Sequence, residues 1–136
     1  MRVRERIVVG SNCLVSRLLL PSSVPEDAVR KAVDSGLLLV SEATMNELDD
    51  VLARPKFDRY ISIADRQQFL RMLARLAEFV PIVYPVRECR DREDDKFLEV
   101  ALNGKAELIL TGDADLLTLH PWRGVPILSP ARYLKR

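Results

Sequence analysis

The stretch Arg6–Ser16 reads RIVVGSNCLVS. Ile7, Val8 and Val9 make a short apolar run suited to a buried strand, and Ser11-Asn12 opens a stretch whose apolar residues recur at helical spacing. Gly10 sits between them, at the turn from strand to helix. In open α/β sheets, ligands bind in the crevice outside the carboxyl ends of the strands, so the residue at such a turn faces the site where chemistry is done. Here that residue has no side chain.

Working outward, apolar periodicity over Asn12–Leu20 predicts a helix that stops at Pro21. Ser23 is a candidate cap for a second helix running to Gly36, with Pro25, Glu26 and Asp27 in its first turn. LLLVS (Leu37–Ser41) reads as a second buried strand, followed by a helix over Glu42–Leu52 that ends before Pro55. After the polar connection RPKFDRYIS comes a helix over Ala64–Phe79, with Phe69, Leu70, Leu73, Leu76 and Ala77 on one face. Pro81–Tyr84 reads as the third strand, Asp94–Asn103 as a helix closed by Gly104, Ala106–Thr111 as the fourth strand and Val125–Leu128 as the fifth. Strands alternating with helices predict a parallel sheet covered on both faces, an α/β sandwich, with residues 1–136 forming one domain.

Length and charge agree with that reading and narrow the function. A chain of 136 residues is the size of one ordinary domain, and 21 Lys+Arg against 20 Asp+Glu leave no overall basic field, so attraction for a polyanion has to be local. Cys13 and Cys89 lack zinc or disulfide spacing and read as free thiols. The expected setting is a soluble, reducing compartment, the cytoplasm, because no stretch approaches the roughly 20 apolar residues of a membrane span and no secretory leader pattern opens the chain. The glycine fingerprints of Rossmann and P-loop nucleotide binders are absent, and no lysine follows the last strand where a phosphoacceptor receiver domain needs one.

Three groups of acids fall where this sheet would bring them together. Glu47 lies in the helix after strand two, Asp94 opens the helix before strand four, and Asp113 follows strand four in LILTGDADLL. Converging carboxylates repel unless protonated or neutralised, and hard oxygen ligands select Mg²⁺ or Mn²⁺. Ordinary roles also exist for each. Asp91, Glu93, Asp94 and Asp95 precede a helix and suit its dipole; Asp113 and Asp115 suit a turn; Glu47, with Asp49 and Asp50, suits a solvated helix face.

Taken in order, IVVGSNCLVSRLL, VSEATMNELDDVLARPKFDRY, CRDREDDKFLEVAL, AELILTGDADLL and VPILSPARYL cover nearly the whole chain. This succession resembles the PIN-domain ribonucleases, in particular the VapC-like toxin components of toxin-antitoxin systems. The resemblance implies a PIN-like three-layer α/β/α sandwich with a five-stranded parallel sheet and a crevice of acids holding Mg²⁺ or Mn²⁺ for hydrolysis of RNA. It assigns Glu47, Asp94 and Asp113 as metal-binding and catalytic acids, with Glu47 a ligand or the group that orients water. Asp95 is the near alternative to Asp94. Ser11, Asn12, Thr111, Asp91 and Asp115 would support the ligands by hydrogen bonding, Thr111 by buttressing the Asp113 turn.

The family's first acid, which follows the first strand and is normally a direct ligand, is missing: where relatives have aspartate, this chain has Gly10. Losing even a residue that only supports a ligand typically costs 10–100-fold in affinity or activity, so the resemblance implies an impaired ribonuclease. The alternative is a catalytically inactive protein of the same fold that binds RNA or a partner protein. Candidate phosphate contacts are Arg17, Arg54, Lys56, Arg59, Arg90 and Arg92. Trp122 in LHPWRG suits packing or base stacking, and His120 is the only histidine. The resemblance also implies an antitoxin partner and a homodimer, with RPKFDRY and the helix after it as candidate contact surfaces.

Overall fold

The computed structural model describes residues 4–136. Its first strand, β1 (Glu5–Val9), is followed by α1 (Ser11–Leu19), α2 (Val24–Ser35), β2 (Gly36–Val40) and α3 (Glu42–Leu52). A 3-10 turn at Pro55–Phe57 leads to α4 (Ile63–Leu76) and β3 (Glu78–Phe79). A second 3-10 turn at Arg92–Asp94 precedes α5 (Asp95–Asn103), β4 (Leu108–Leu110), α6 (Ala114–Leu117), β5 (Ile127–Leu128) and α7 (Pro130–Lys135). All four strand pairings are parallel, in the order β3-β2-β1-β4-β5. The expected fold class, an α/β sandwich on a five-stranded parallel sheet, is the one observed.

Alternation along the strands divides the core into two layers, because successive side chains point to opposite faces. Ile7, Val9, Leu38, Leu108 and Leu110 pack with α1, α2, α3, α4 and α7 on one face. Val8, Leu39, Ile109 and Ile127 pack on the other with Phe97, Leu98 and Val100 of α5, Leu116 of α6 and Trp122. Helix starts are set by hydroxyl caps. Ser23 accepts from the Glu26 N–H, and Ser41 and Thr44 exchange side-chain bonds in a capping box that fixes where α3 begins.

The third strand is not at Pro81–Tyr84, where sequence composition puts it. Helix α4 ends at Leu76, Ala77 is already extended, and Glu78–Phe79 pair with Leu39–Val40. The Val80 N–H donates to the Val40 carbonyl at 2.8 Å, and Pro81 has no N–H to continue the ladder. Beyond it Ile82, Val83 and Tyr84 are exposed, and the N–H groups of Val83 and Tyr84 both donate to Asn103 Oδ1 at 2.9 Å. Other differences are smaller. β1 starts earlier and β4 and β5 are shorter than expected, Asp94 lies in the turn before α5, and α6 and α7 are additional elements.

Ile109 is fully buried on β4, an interior strand of the sheet, so Ile109→Ala should destabilise the fold by about 2–5 kcal/mol. Urea unfolding would show a lower midpoint with an unchanged slope.

Candidate active site

The strand order reverses at β1. The chain builds outward from β1 through β2 to β3, then returns to place β4 on the other side of β1. Segments leaving β1 and β4 therefore diverge and open a crevice at their carboxyl ends. There the Gly10 N–H donates to the Leu110 carbonyl at 2.8 Å. A cavity of about 240 Å³ at this point is lined by Gly10, Ser11, Asn12, Glu47, Val51, Arg54, Asp94, Phe97, Thr111, Asp113 and Leu116. The three principal acids suggested by the sequence thus share one cavity with Gly10.

Each acid is held differently. Asp113 caps α6, its Oδ2 accepting from the Leu116 N–H at 2.9 Å, while its own N–H donates to Thr111 Oγ1 at 3.1 Å. Glu47 is engaged on both oxygens: Ser11 Oγ donates to Oε2 at 2.5 Å and Lys96 Nζ to Oε1 at 3.0 Å. Asp94 stands at the cap position of α5 but makes no capping bond, and its Oδ2 is buried with no partner. Burial, hydrogen bonding and repulsion with Asp113, and the charges of Asp91 and Glu47 push the Asp94 carboxyl up to about 7.

Among the supporting residues, one oxygen from each of Asp91, Asp94 and Asp115 lies within 4.8 Å of the others. Asp95, the near alternative to Asp94 in the sequence, does not line the crevice. Its carboxylate turns away from the crevice and accepts from the N–H groups of Glu88 and Cys89 at 3.1 and 2.8 Å. Adjacent residues at a helix start face different sides, so Asp95 secures the preceding loop while Asp94 faces the cavity.

The basic residues divide as well. Arg54 lines the crevice. Lys56 and Arg59 line an adjoining groove of about 870 Å³ with Leu19, Phe57 and Tyr60, and Asn12 belongs to both cavities. Arg17 does not reach the crevice. It lies 3.9 Å from Glu26 and lines a different cavity with Phe69 and Leu73. Arg90 and Arg92 are exposed and do not line the crevice, and Arg92 lies 3.5 Å from Asp95. His120 and Trp122 have structural partners: Nδ1 accepts from the Ile127 N–H, and the buried indole donates to Glu88. Both cysteines are free and buried, and burial pushes the Cys13 thiol up to about 11.

Lys96 escaped the sequence reading. Burial alone would lower its ammonium, but hydrogen bonding and charge from Glu47, with Glu93, hold it above its usual value. A signal was present: a lysine in the first turn of a helix opposes the macrodipole, so some local anion has to compensate it.

The profile of the PIN domain family matches residues 6–115. The chain belongs to the PIN-domain family. It is 27% identical over 123 residues to an uncharacterised protein of Methanocaldococcus jannaschii, covering 88% of this chain and 77% of that protein. It is also similar in fold to a solved structure described as VapBC2 from Rickettsia felis bound to a DNA fragment from their promoter. That match has a TM-score of 0.60 and 9% identity, and covers 91% of this chain and 98% of the other.

PIN domains are in general nucleases that use divalent metals. The residues of this crevice fit such an ion: the donors are hard oxygens, Asp94 has a buried oxygen without a partner, and its charge is disfavoured without a cation. Among the described residues, no helix is long and apolar enough to cross a membrane.

A carboxyl whose pKa is raised on folding takes up its proton more readily in the folded state. Stability without metal should therefore fall as pH rises from about 4 to about 7, and the penalty is complete above that window. Asp94→Asn removes it. In EDTA its melting temperature should exceed wild type by about a few degrees at pH 8, with the gain vanishing toward pH 4 in a thermal scan series. An equal gain at both pH values would show that Asp94 is not under charge strain.

Proposed function

We propose that this PIN domain is a metal-dependent endoribonuclease of the toxin type, attenuated by Gly10 at the position of the first acid. The observation that carries the proposal is the partnerless buried oxygen of Asp94 beside Asp113 in a crevice at the reversal point of the sheet. A capping or surface role would leave such an oxygen bonded or hydrated.

In this reading Asp94 and Asp113 hold a Mg²⁺ or Mn²⁺ ion, and Asp91 and Asp115 add negative potential beside them. When bound, the ion supplies an acidified water and neutralises charge building up on the phosphodiester. The chain's own residues do the rest. Thr111 fixes the turn that aims Asp113, and Ser11 fixes Glu47. Arg54, together with Lys56 and Arg59 of the adjoining groove, meets the RNA backbone, since phosphate neutralisation supplies most non-specific affinity.

The same groove, with exposed Leu20 and Tyr60 at its edge, suits a protein partner, which in this reading is an antitoxin whose seat lies next to the crevice. The similarity in fold to a structure of VapBC2 supports that assignment. A homodimer is part of the same proposal.

Gly10 also bears on the alternative, an inactive fold that only binds. A Cβ at Gly10 would lie 2.8 Å from Thr111 Oγ1 and 3.3 Å from Thr111 Cβ, so threonine crowds the corner that an acid would use. The test is cleavage of a labelled RNA with Mn²⁺ by the wild type, by Gly10→Asp, and by Gly10→Asp combined with Thr111→Ala, which removes the hydroxyl a Cβ at position 10 would meet. Wild type should cleave slowly and only with metal, the paired variant at least about tenfold faster, and Asp113→Asn should abolish cleavage in either background. No cleavage by the wild type or the folded paired variant would sink the nuclease reading and leave the binding one.

A further inference from the structure

Lys96 lies where a cation is electrostatically out of place, in the first turn of α5 and two residues beyond Asp94. Its side chain is only 18% exposed. It reaches across to α3, putting Nζ 3.0 Å from Glu47 Oε1, and it lies 3.6 Å from Glu93 Oε2. Ser11 of α1 takes the other Glu47 oxygen. Two of the principal acids of the crevice are therefore in opposite conditions. Glu47 is fully engaged by side chains of two other helices, whereas Asp94 keeps a buried oxygen unbonded.

An ion entering the crevice meets a free ligand at Asp94 and an occupied one at Glu47. Binding to Glu47 would set the ion against the Lys96 ammonium 3.0 Å from Oε1 and weaken that half-buried pair, leaving the lysine only the longer contact to exposed Glu93, which is unfavourable. Binding at Asp94 breaks no ion pair and meets a buried oxygen that has no hydrogen-bond partner.

We propose that Lys96 is a positioning residue that removes Glu47 from the metal's ligand set and fixes it as a hydrogen-bonding carboxylate. Divalent metal is thereby left to the Asp94–Asp113 side of the crevice. The proposal rests on the metal-dependent reading of the same crevice and refines it. A lysine that merely ties α5 to α3 would affect stability and leave no signature in metal affinity that depends on Glu47.

The test is a double-mutant cycle read by calorimetric titration of the whole chain with Mn²⁺ alone, with no RNA and no activity measurement. Glu47→Gln should bind Mn²⁺ within about twofold of wild type, while Asp94→Asn should bind at least about tenfold more weakly. Lys96→Met keeps the aliphatic stem, loses the charge and frees Glu47, so it should bind on the order of tenfold more tightly. That gain should shrink to about twofold when Glu47→Gln is also present. Lys96→Arg, which keeps the charge, should bind as wild type does, and it keeps the comparison available if the methionine variant does not fold by circular dichroism.

A loss of Mn²⁺ affinity in Glu47→Gln equal to that in Asp94→Asn would make Glu47 a direct ligand and overturn the proposal while leaving the metal site standing. So would a gain in Lys96→Met that persists without Glu47, since the lysine would then act only as a distant charge. Absence of Mn²⁺ binding by the wild type overturns the metal reading and this proposal with it.

Discussion

The hydrogen bond from the Gly10 N–H to the Leu110 carbonyl marks the place on which the site depends. It extends the pairing of β1 with β4 at their carboxyl ends, where two neighbouring strands send their following segments apart. A parallel sheet whose strands were added in one direction only would have no such opening. With β4 placed on the opposite side of β1 from β2, the end of β1, the turn after β4, the start of α5 and the middle of α3 all border one small cavity. Apolar layers on both faces of the sheet hold these elements in place, so their carboxylates cannot separate without disturbing a packed core.

Convergence forces the fold to deal with charge, and it does so unequally. Asp113 is partly used in capping α6, Asp95 in tying down the loop at Cys89, and Glu47 in a pairing with Lys96 and Ser11. Asp94 alone among these has a buried oxygen with no hydrogen-bond partner. A group that harms stability and gains nothing within the folded chain is a natural place to look for an external partner, because function commonly sits where stability has been given up. An imbalance among the acids, rather than their number, is what favours a cation here.

Much of this could be read in the sequence, for identifiable reasons. β1, β2 and β4 are short apolar runs bounded by turns, and their positions follow from composition. The acids after them follow from the rule that strand ends meet at one edge. The third strand could not be placed because Pro81-Ile-Val-Tyr has the stronger strand composition, whereas the ladder is decided by which N–H groups exist and by the end of α4. α6 and α7, with four and six residues, are too short to show a helical period. The choice between Asp94 and Asp95 turned on where a 3-10 turn gives way to a helix, a shift of one residue that no spacing argument resolves. Lys96 was hidden by its acidic neighbours, since a lysine among aspartates reads as surface charge compensation until α3 is seen to lie across from it.

Gly10 is not required by the backbone. Its φ of −66° and ψ of 151° are open to any residue, so the glycine is not there to permit a turn. What crowds a side chain there is Thr111, whose hydroxyl would have to shift for a Cβ at position 10 and at the same time accepts the Asp113 N–H. The vacant acid position and the aim of Asp113 are consequently one arrangement. An aspartate at position 10 would add a ligand only by pushing aside the hydroxyl that steadies the next one. The neighbouring Gly112 has open space around its Cβ position and imposes no such conflict. The first and fourth acid positions are thus coupled through a single threonine, and adding charge at one changes the geometry at the other before any metal or RNA arrives.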